Sequence, residues 1–175
     1  MKILFITSSP LEYSSSANLR NIALIKGFSE LGHEVSTLTA KPEESSSYYD
    51  SSLINFNLDK RYFINISQAH SHFTSKTEDL SSLKNKFKRE VKKNFYQLYT
   101  SFSIYDPRKN LVSNVNKVKI KDTFDLIISS SDPKSSHLLA EKLIELKPGI
   151  TKKWIQYWGD PFTNDINKKS LIPKR

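Results

Sequence analysis

The chain has 175 residues, 37% hydrophobic and 26% charged, with 27 Lys and Arg against 18 Asp and Glu for a net charge of +9; this is the size and composition of one basic globular domain. The absence of cysteine excludes a disulfide framework, a thiolate metal site and a cysteine nucleophile. The four glycines, Gly27, Gly32, Gly149 and Gly159, cannot form a GxGxxG dinucleotide loop or a P-loop.

The chain opens with one positive charge and the apolar run Ile3-Leu4-Phe5-Ile6, shorter than the roughly seven apolar residues of a signal-peptide core. No apolar run approaches the ~18 residues of a spanning helix, so a cytoplasmic location is expected. Residues 2–7 read as a central parallel strand covered on both faces. Ser8 to Ser16 is a polar loop containing Pro10. A helix is predicted over about 17–31, with Ser15 or Ser16 as its cap and Leu19, Ile22, Ala23, Phe28 and Leu31 on its apolar face. Gly32 follows where a left-handed residue is wanted. Val35 to Thr39 is the second strand, which completes a βαβ unit.

Residues 40–60 are rich in Ser, Tyr and Asp and read as a long surface excursion. Tyr62 to Ile66 is a third strand. The longest helical pattern covers 78–103, where Leu80, Leu83, Phe87, Val91, Phe95, Leu98 and Phe102 form one stripe. Pro107 ends that region, and a shorter helix is predicted over 109–120. Asp125 to Ser129 is a buried strand. Asp132-Pro133 signals a helix start with Asp132 as cap; the helix runs to about Lys147 with Leu138, Leu139, Leu143 and Leu146 inward, and Pro148-Gly149 stops it. Trp154 to Trp158 is the last strand. Residues 164–175 form a polar tail.

Alternating strands and helices predict an open, mainly parallel α/β sheet. Ligands of such sheets bind outside the carboxyl ends of the strands. That rule selects three loops, Ser8–Ser16, Ser129–Asp132 and Gly159–Thr163, and two of them lead toward helix N-termini that can hold an anion. Candidate substrate-binding residues are therefore Ser8, Ser9, Ser15, Ser130, Ser131, Asp132, Gly159 and Thr163. Asp160 is the acid of the last loop; it is either a general base or sugar-hydroxyl ligand, or a turn cap before Pro161. Of the four histidines, His33 is expected to face solvent and His137 to be an ordinary surface residue near the cleft. His70 and His72 have a spacing that suits a metal only in an extended strand, with no carboxylate before Glu78; no metal is expected. Lys84, Lys86, Lys88, Arg89, Lys92 and Lys93 against Glu90 make the 78–103 helix amphipathic and cationic. Lys84, Lys88, Arg89 and Lys92 are the candidate contacts to an anionic membrane surface or acceptor. The plainer reading packs the stripe on the sheet and leaves the cations solvated. Tyr96 and Tyr99 would permit nucleic-acid stacking, but no nucleic-acid motif surrounds them, and nucleic acid is not an expected partner.

Two flanks of the chain carry a family resemblance. Met1-Lys2-Ile3-Leu4-Phe5-Ile6-Thr7-Ser8-Ser9-Pro10, the helix ending Gly27-Phe28-Ser29-Glu30-Leu31-Gly32-His33-Glu34-Val35, and Leu38-Thr39 resemble the start of GT-B glycosyltransferases of the family 4 type. Phe124 to Pro133 and Trp154-Ile155-Gln156-Tyr157-Trp158-Gly159-Asp160-Pro161-Phe162-Thr163 resemble the later Asp-Pro-aromatic region of those enzymes, in the right order. Residues 45–120 carry little of it.

The resemblance implies a Rossmann-like three-layer α/β/α fold and an acceptor-side N-terminal domain over 1–175, cut short, with the donor-binding half absent. It implies an enzyme that moves a sugar from a nucleotide-sugar donor to a glycan or lipid-linked acceptor in bacterial surface polysaccharide assembly, peripheral at the inner face of the membrane. This chain alone would be inactive. The nucleotide-sugar would be a substrate, and no cofactor or metal is implied. Asp160 matches the family's pattern. Gly159 departs from it, standing where an arginine is usual, and Leu11 to Ser16 replaces a glycine pair. The alternative is a non-enzymatic basic α/β module that binds a membrane surface or nucleic acid.

Overall fold

The computed structural model describes residues 1–65, 91, 106–131 and 133–159. Of the predicted 78–103 helix, only Val91 falls among them. His70, His72, Lys84, Lys88, Arg89, Lys92, Asp132, Asp160 and Thr163 also lie outside the described residues.

Five strands form one sheet: β1 (Lys2–Ile6), β2 (Glu34–Ala40), β3 (Arg61–Ile64), β4 (Phe124–Ser130) and β5 (Thr151–Tyr157). Their order is β3-β2-β1-β4-β5 and every neighbouring pair is parallel. Helix α1 (Ser16–Glu30) joins β1 to β2, and α2 (Ser135–Leu146) joins β4 to β5. The chain leaves β1 in one direction along the sheet and β4 in the other. Right-handed crossovers running opposite ways place their helices on opposite faces.

Two separate apolar clusters follow from this. On the α1 face, Ile3, Phe5, Val35 and Ile128 pack with Leu11 and Ile25. On the α2 face, Leu4, Ile6, Leu38 and Ile127 pack with Leu139, Ala140 and Leu143. Alternate residues of β1 thus serve opposite layers. The architecture is a three-layer, Rossmann-like α/β/α fold.

The connections differ from the sequence expectations in instructive ways. Residues 40–60 do run along the surface, yet Ile54, Phe56 and Leu58 pack against the α1-face cluster. The expected helix over 109–120 is a run of 3-10 turns over Pro107–Lys117, which Pro107 opens. Its Leu111 and Val115 are buried beside Leu139 and Leu143. Helix α2 starts at Ser135, and Lys134 at its cap position makes no side-chain capping bond. The cap comes instead from Asp106, whose carboxylate accepts hydrogen bonds from Ser135 N–H and Ser135 Oγ, each at 2.9 Å. The same carboxylate accepts from Arg108 N–H at 3.0 Å and so also caps the 3-10 segment. Asp106→Ala is expected to cost about 2 kcal/mol, the worth of two helix ends losing one acceptor. A shift in the urea midpoint at constant slope would register the loss, and an unshifted midpoint would refute the double cap.

Candidate functional site at the carboxyl edge

The sheet order reverses between β1 and β4, and the loops after these two strands diverge to opposite faces. Such a switch point is where open α/β sheets place ligands. The residues around it are polar and largely buried. Thr7, Ser8, Ser129, Ser130, Ser135 and Ser136 are each fully buried, and Ser9 and Ser131 nearly so.

The hydroxyls first of all join the loops. Ser8 N–H donates to Ser136 Oγ at 2.9 Å, and the Ser8 and Ser135 hydroxyls share a hydrogen bond at 2.8 Å. Residues 127 positions apart are thereby locked together at the switch point. On the other side, Asn18 Nδ2 donates to Pro10 O and Tyr13 O at 2.7 Å, and reaches Ser9 Oγ at 3.2 Å. Ser15 is exposed and is the N-cap of α1, accepting from Asn18 N–H. The expected substrate serines 8 and 9 are therefore engaged in holding the loop after β1.

A second set of side chains surrounds the tips of β4 and β5. Successive residues of β4 face opposite layers. On the α2 face, Ser129 Oγ accepts a hydrogen bond from Trp154 Nε1 at 2.9 Å and lies 2.7 Å from His137 Nδ1. A hydroxyl oxygen has two lone pairs, so Ser129 either accepts from an Nδ1–H beside the indole or donates its own proton to Nδ1, according to the tautomer. The other ring nitrogen, Nε2, is buried without a partner. Trp158 closes over the ring at a centroid distance of 4.2 Å. Burial disfavours the charged form and lowers the His137 pKa to about 4. His137 is 4% exposed, so it is a buried neutral imidazole and not the surface residue expected from sequence. His33 is half-buried rather than solvent-facing, with its ring tilted against Phe28.

On the α1 face, Ser130 Oγ donates to Asn21 Oδ1 at 2.6 Å, and Asn21 Nδ2 is buried without an acceptor. Gly159 N–H donates to Ser131 Oγ at 3.0 Å, which ties the end of β5 to the end of β4. Arg20, one residue before Asn21 on α1, reaches across to Gly159. A Cβ added at Gly159 would lie 2.5 Å from Arg20 Nη2 and 2.9 Å from Cζ. The positive-φ glycines are Gly32 and Gly149, so Gly159 answers a need for space and not for backbone freedom.

The structure therefore gathers Ser8, Ser9, Ser130, Ser131 and Gly159 at one edge. It adds Arg20, Asn21 and His137, which sequence reasoning did not select as binding residues. A usable signal existed in α2. The face through Leu139 and Leu143, continued one turn back, runs through Ser135 and Ser136. Among the described residues, no three His, Asp or Glu side chains come together as a metal site, and no helix is long and apolar enough to cross a membrane. Compared with protein-family models, curated proteins and solved structures, the chain matches none.

Proposed function

We propose that this chain is the acceptor-side domain of a GT-B glycosyltransferase, which moves a sugar from a nucleotide-sugar donor to a glycan or lipid-linked acceptor in surface polysaccharide assembly at the inner face of the membrane. One observation carries the reading. The two segments that resemble such enzymes are far apart in sequence, yet they form adjacent strands, β1 with β2 and β4 with β5, in one parallel sheet. Their trailing loops meet at the switch point through the Ser8–Ser135 and Ser8–Ser136 hydrogen bonds.

In this reading the nucleotide-sugar is gripped mainly by a second domain, and the carboxyl edge of this one presents the acceptor. Asp160, next to Gly159 in sequence, is the proposed general base or sugar-hydroxyl ligand. The Lys84, Lys88, Arg89 and Lys92 cluster is the proposed contact to the anionic membrane surface.

The test is transfer of radiolabelled sugar from nucleotide-sugar donors to membrane lipid extracts, using the product of the complete reading frame. Labelled lipid or glycan whose formation falls at least about a hundredfold in Asp160→Asn supports the reading, the scale of a lost general base. A complete reading frame without a second nucleotide-binding half, or one whose product transfers no sugar, overturns it.

A further inference from the structure

We propose that Asn18 and Asn21, on the buried face of the first two turns of α1, form a subsite for one hydroxyl group of a neutral polyol. Asn18 is 0% exposed and Asn21 1%. Three residues apart on a helix, they are neighbours, with about 5–6 Å between their Cβ atoms.

Each side chain is held at one end and open at the other. Asn18 Nδ2 donates to the carbonyls of Pro10 and Tyr13 and to Ser9 Oγ, while its Oδ1 has no partner. Asn21 Oδ1 accepts from Ser130 Oγ, while its Nδ2 has no partner. The two anchors come from different places, the loop after β1 and the end of β4, so the pair sits where those segments meet. Turning the Asn18 amide over would set its oxygen against two carbonyl oxygens, which fixes the open end as the acceptor. A buried polar atom without a partner is costly. Two of them, one turn apart on one face, mark a place that a ligand completes.

The open ends are of opposite kind, one lone pair and one N–H, and that selects the ligand. An oxyanion would meet the Asn18 lone pairs unfavourably, and an ammonium has no lone pair for Asn21 Nδ2. A hydroxyl donates to Asn18 Oδ1 and accepts from Asn21 Nδ2 at once, and it is small enough to lie between neighbouring side chains. Ser14, Ser15 and Ser16, at the start of the helix, are exposed, so the pair lies just behind a solvent-facing stretch of chain.

That the polyol is the acceptor of a glycosyltransferase rests on the proposed function; binding of a neutral hydroxyl does not. The test is an NMR titration of the 175-residue chain with glycerol and with glucose, beside inorganic phosphate, read at the Asn18 and Asn21 side-chain amides. Saturable shifts with a polyol and none with phosphate are expected. Asn21→Leu keeps the approximate shape without the donor and is expected to weaken polyol binding by about tenfold. Asn21→Ser, a smaller change, also withdraws the amide donor and is expected to do the same, so the test survives a leucine variant that fails to fold.

A cross-peak from water to the Asn21 side-chain amide that neither polyol alters means a buried water only, and overturns the proposal. Shifts with phosphate in place of the polyols overturn it too, as does undiminished polyol binding by a folded Asn21 variant. Sugar transfer by the complete protein alongside a chain indifferent to both polyols overturns the subsite and leaves the function standing. Asn21-dependent polyol binding without sugar transfer does the reverse.

Discussion

Lowering the pH from 7 to 4 is expected to remove about 3 kcal/mol of folding stability through His137 alone. The folded ring titrates at about 4, against 6.5 for the free side chain. Between those values the unfolded chain binds a proton that the folded chain refuses, so stability rises with pH at up to about 1.4 kcal/mol per pH unit. The contribution is fully present above pH 6.5 and is lost progressively as the pH falls toward 4. Desolvation is the cause: a proton added at Nδ1 or Nε2 would place a charge between Ser129, Trp154 and Trp158. Asp125 is held below the usual carboxylate range, first by the Lys2 backbone N–H and then by Lys152. Asp122 is lowered by hydrogen bonds from Tyr62 and then Lys60. Both withdraw their support only below the ordinary aspartate range and not within the histidine window.

His137→Phe separates these contributions. It fills the same space but removes the imidazole partner of the Ser129 hydroxyl, which keeps the Trp154 indole, at a cost of about 1–3 kcal/mol at pH 7. Its advantage is that it cannot take up a proton. Urea unfolding at pH 7, 5.5 and 4.5 should therefore show wild type falling faster than the variant. Parallel curves for the two proteins would mean that His137 is not held neutral by its surroundings.

His137 also marks the boundary of what local sequence makes legible. The strands were readable because Ile3–Ile6, Val35–Leu38 and Asp125–Ser129 are short apolar or β-branched runs between polar loops. Helix α1 was readable from its serine cap and from Gly32, whose φ of 80° ends it. The inward faces were harder. Leu19, Ala23 and Leu31 were expected inside, yet all three are exposed. The buried positions Asn18, Asn21 and Ile25 follow helical spacing just as well. Ile22 and Phe28 of the expected face do pack against the α1-face cluster, but hydrophobicity alone missed Asn18 and Asn21 because the first two turns of α1 face polar loop ends rather than the sheet's apolar surface. The same error placed Leu138 and Leu146 inward on α2; Leu138 is half-buried and Leu146 is 45% exposed.

Long-range partners were beyond reach for a different reason. Asp106 caps a helix that begins 29 residues later, and no local motif encodes that meeting. Arg20 and Gly159 were both visible as residues, but only the reach of the Arg20 side chain to the end of β5 reveals why a glycine stands there. The candidate site was thus located by a topological rule, while its chemistry came from contacts between elements.

Removing the ring of Phe5 is expected to produce the largest single loss of stability, about 3–5 kcal/mol for Phe5→Ala. Phe5 is 0% exposed and sits on the central strand, in register with Thr37 of β2 and Ile128 of β4. Its ring packs among Ile3, Leu11, Ile25, Val35 and Ile128, which join three strands, the following loop and α1. Neighbours tied into two hydrogen-bonded ladders cannot collapse far into the space, so the cavity term adds to the lost burial. Against a total of about 5–15 kcal/mol for an ordinary domain, this is a large fraction.

Phe5→Leu should recover most of the loss, because it keeps an apolar group in the same space. Leu19→Ala, at a site 50% exposed, should change stability by no more than about 0.5 kcal/mol. Urea midpoints at constant slope compare the three. The effect should also reach the carboxyl edge. Leu11 is held by Phe5's cluster and lies in the loop whose Pro10 and Tyr13 carbonyls accept from Asn18. Loosening that loop frees the first turns of α1, which carry Arg20 and Asn21. Phe5→Ala should therefore speed hydrogen exchange at the backbone amides of the first turns of α1 more than Leu19→Ala does under conditions where both variants are fully folded. Equal exchange in the two would mean that the carboxyl edge is ordered independently of the core beneath it.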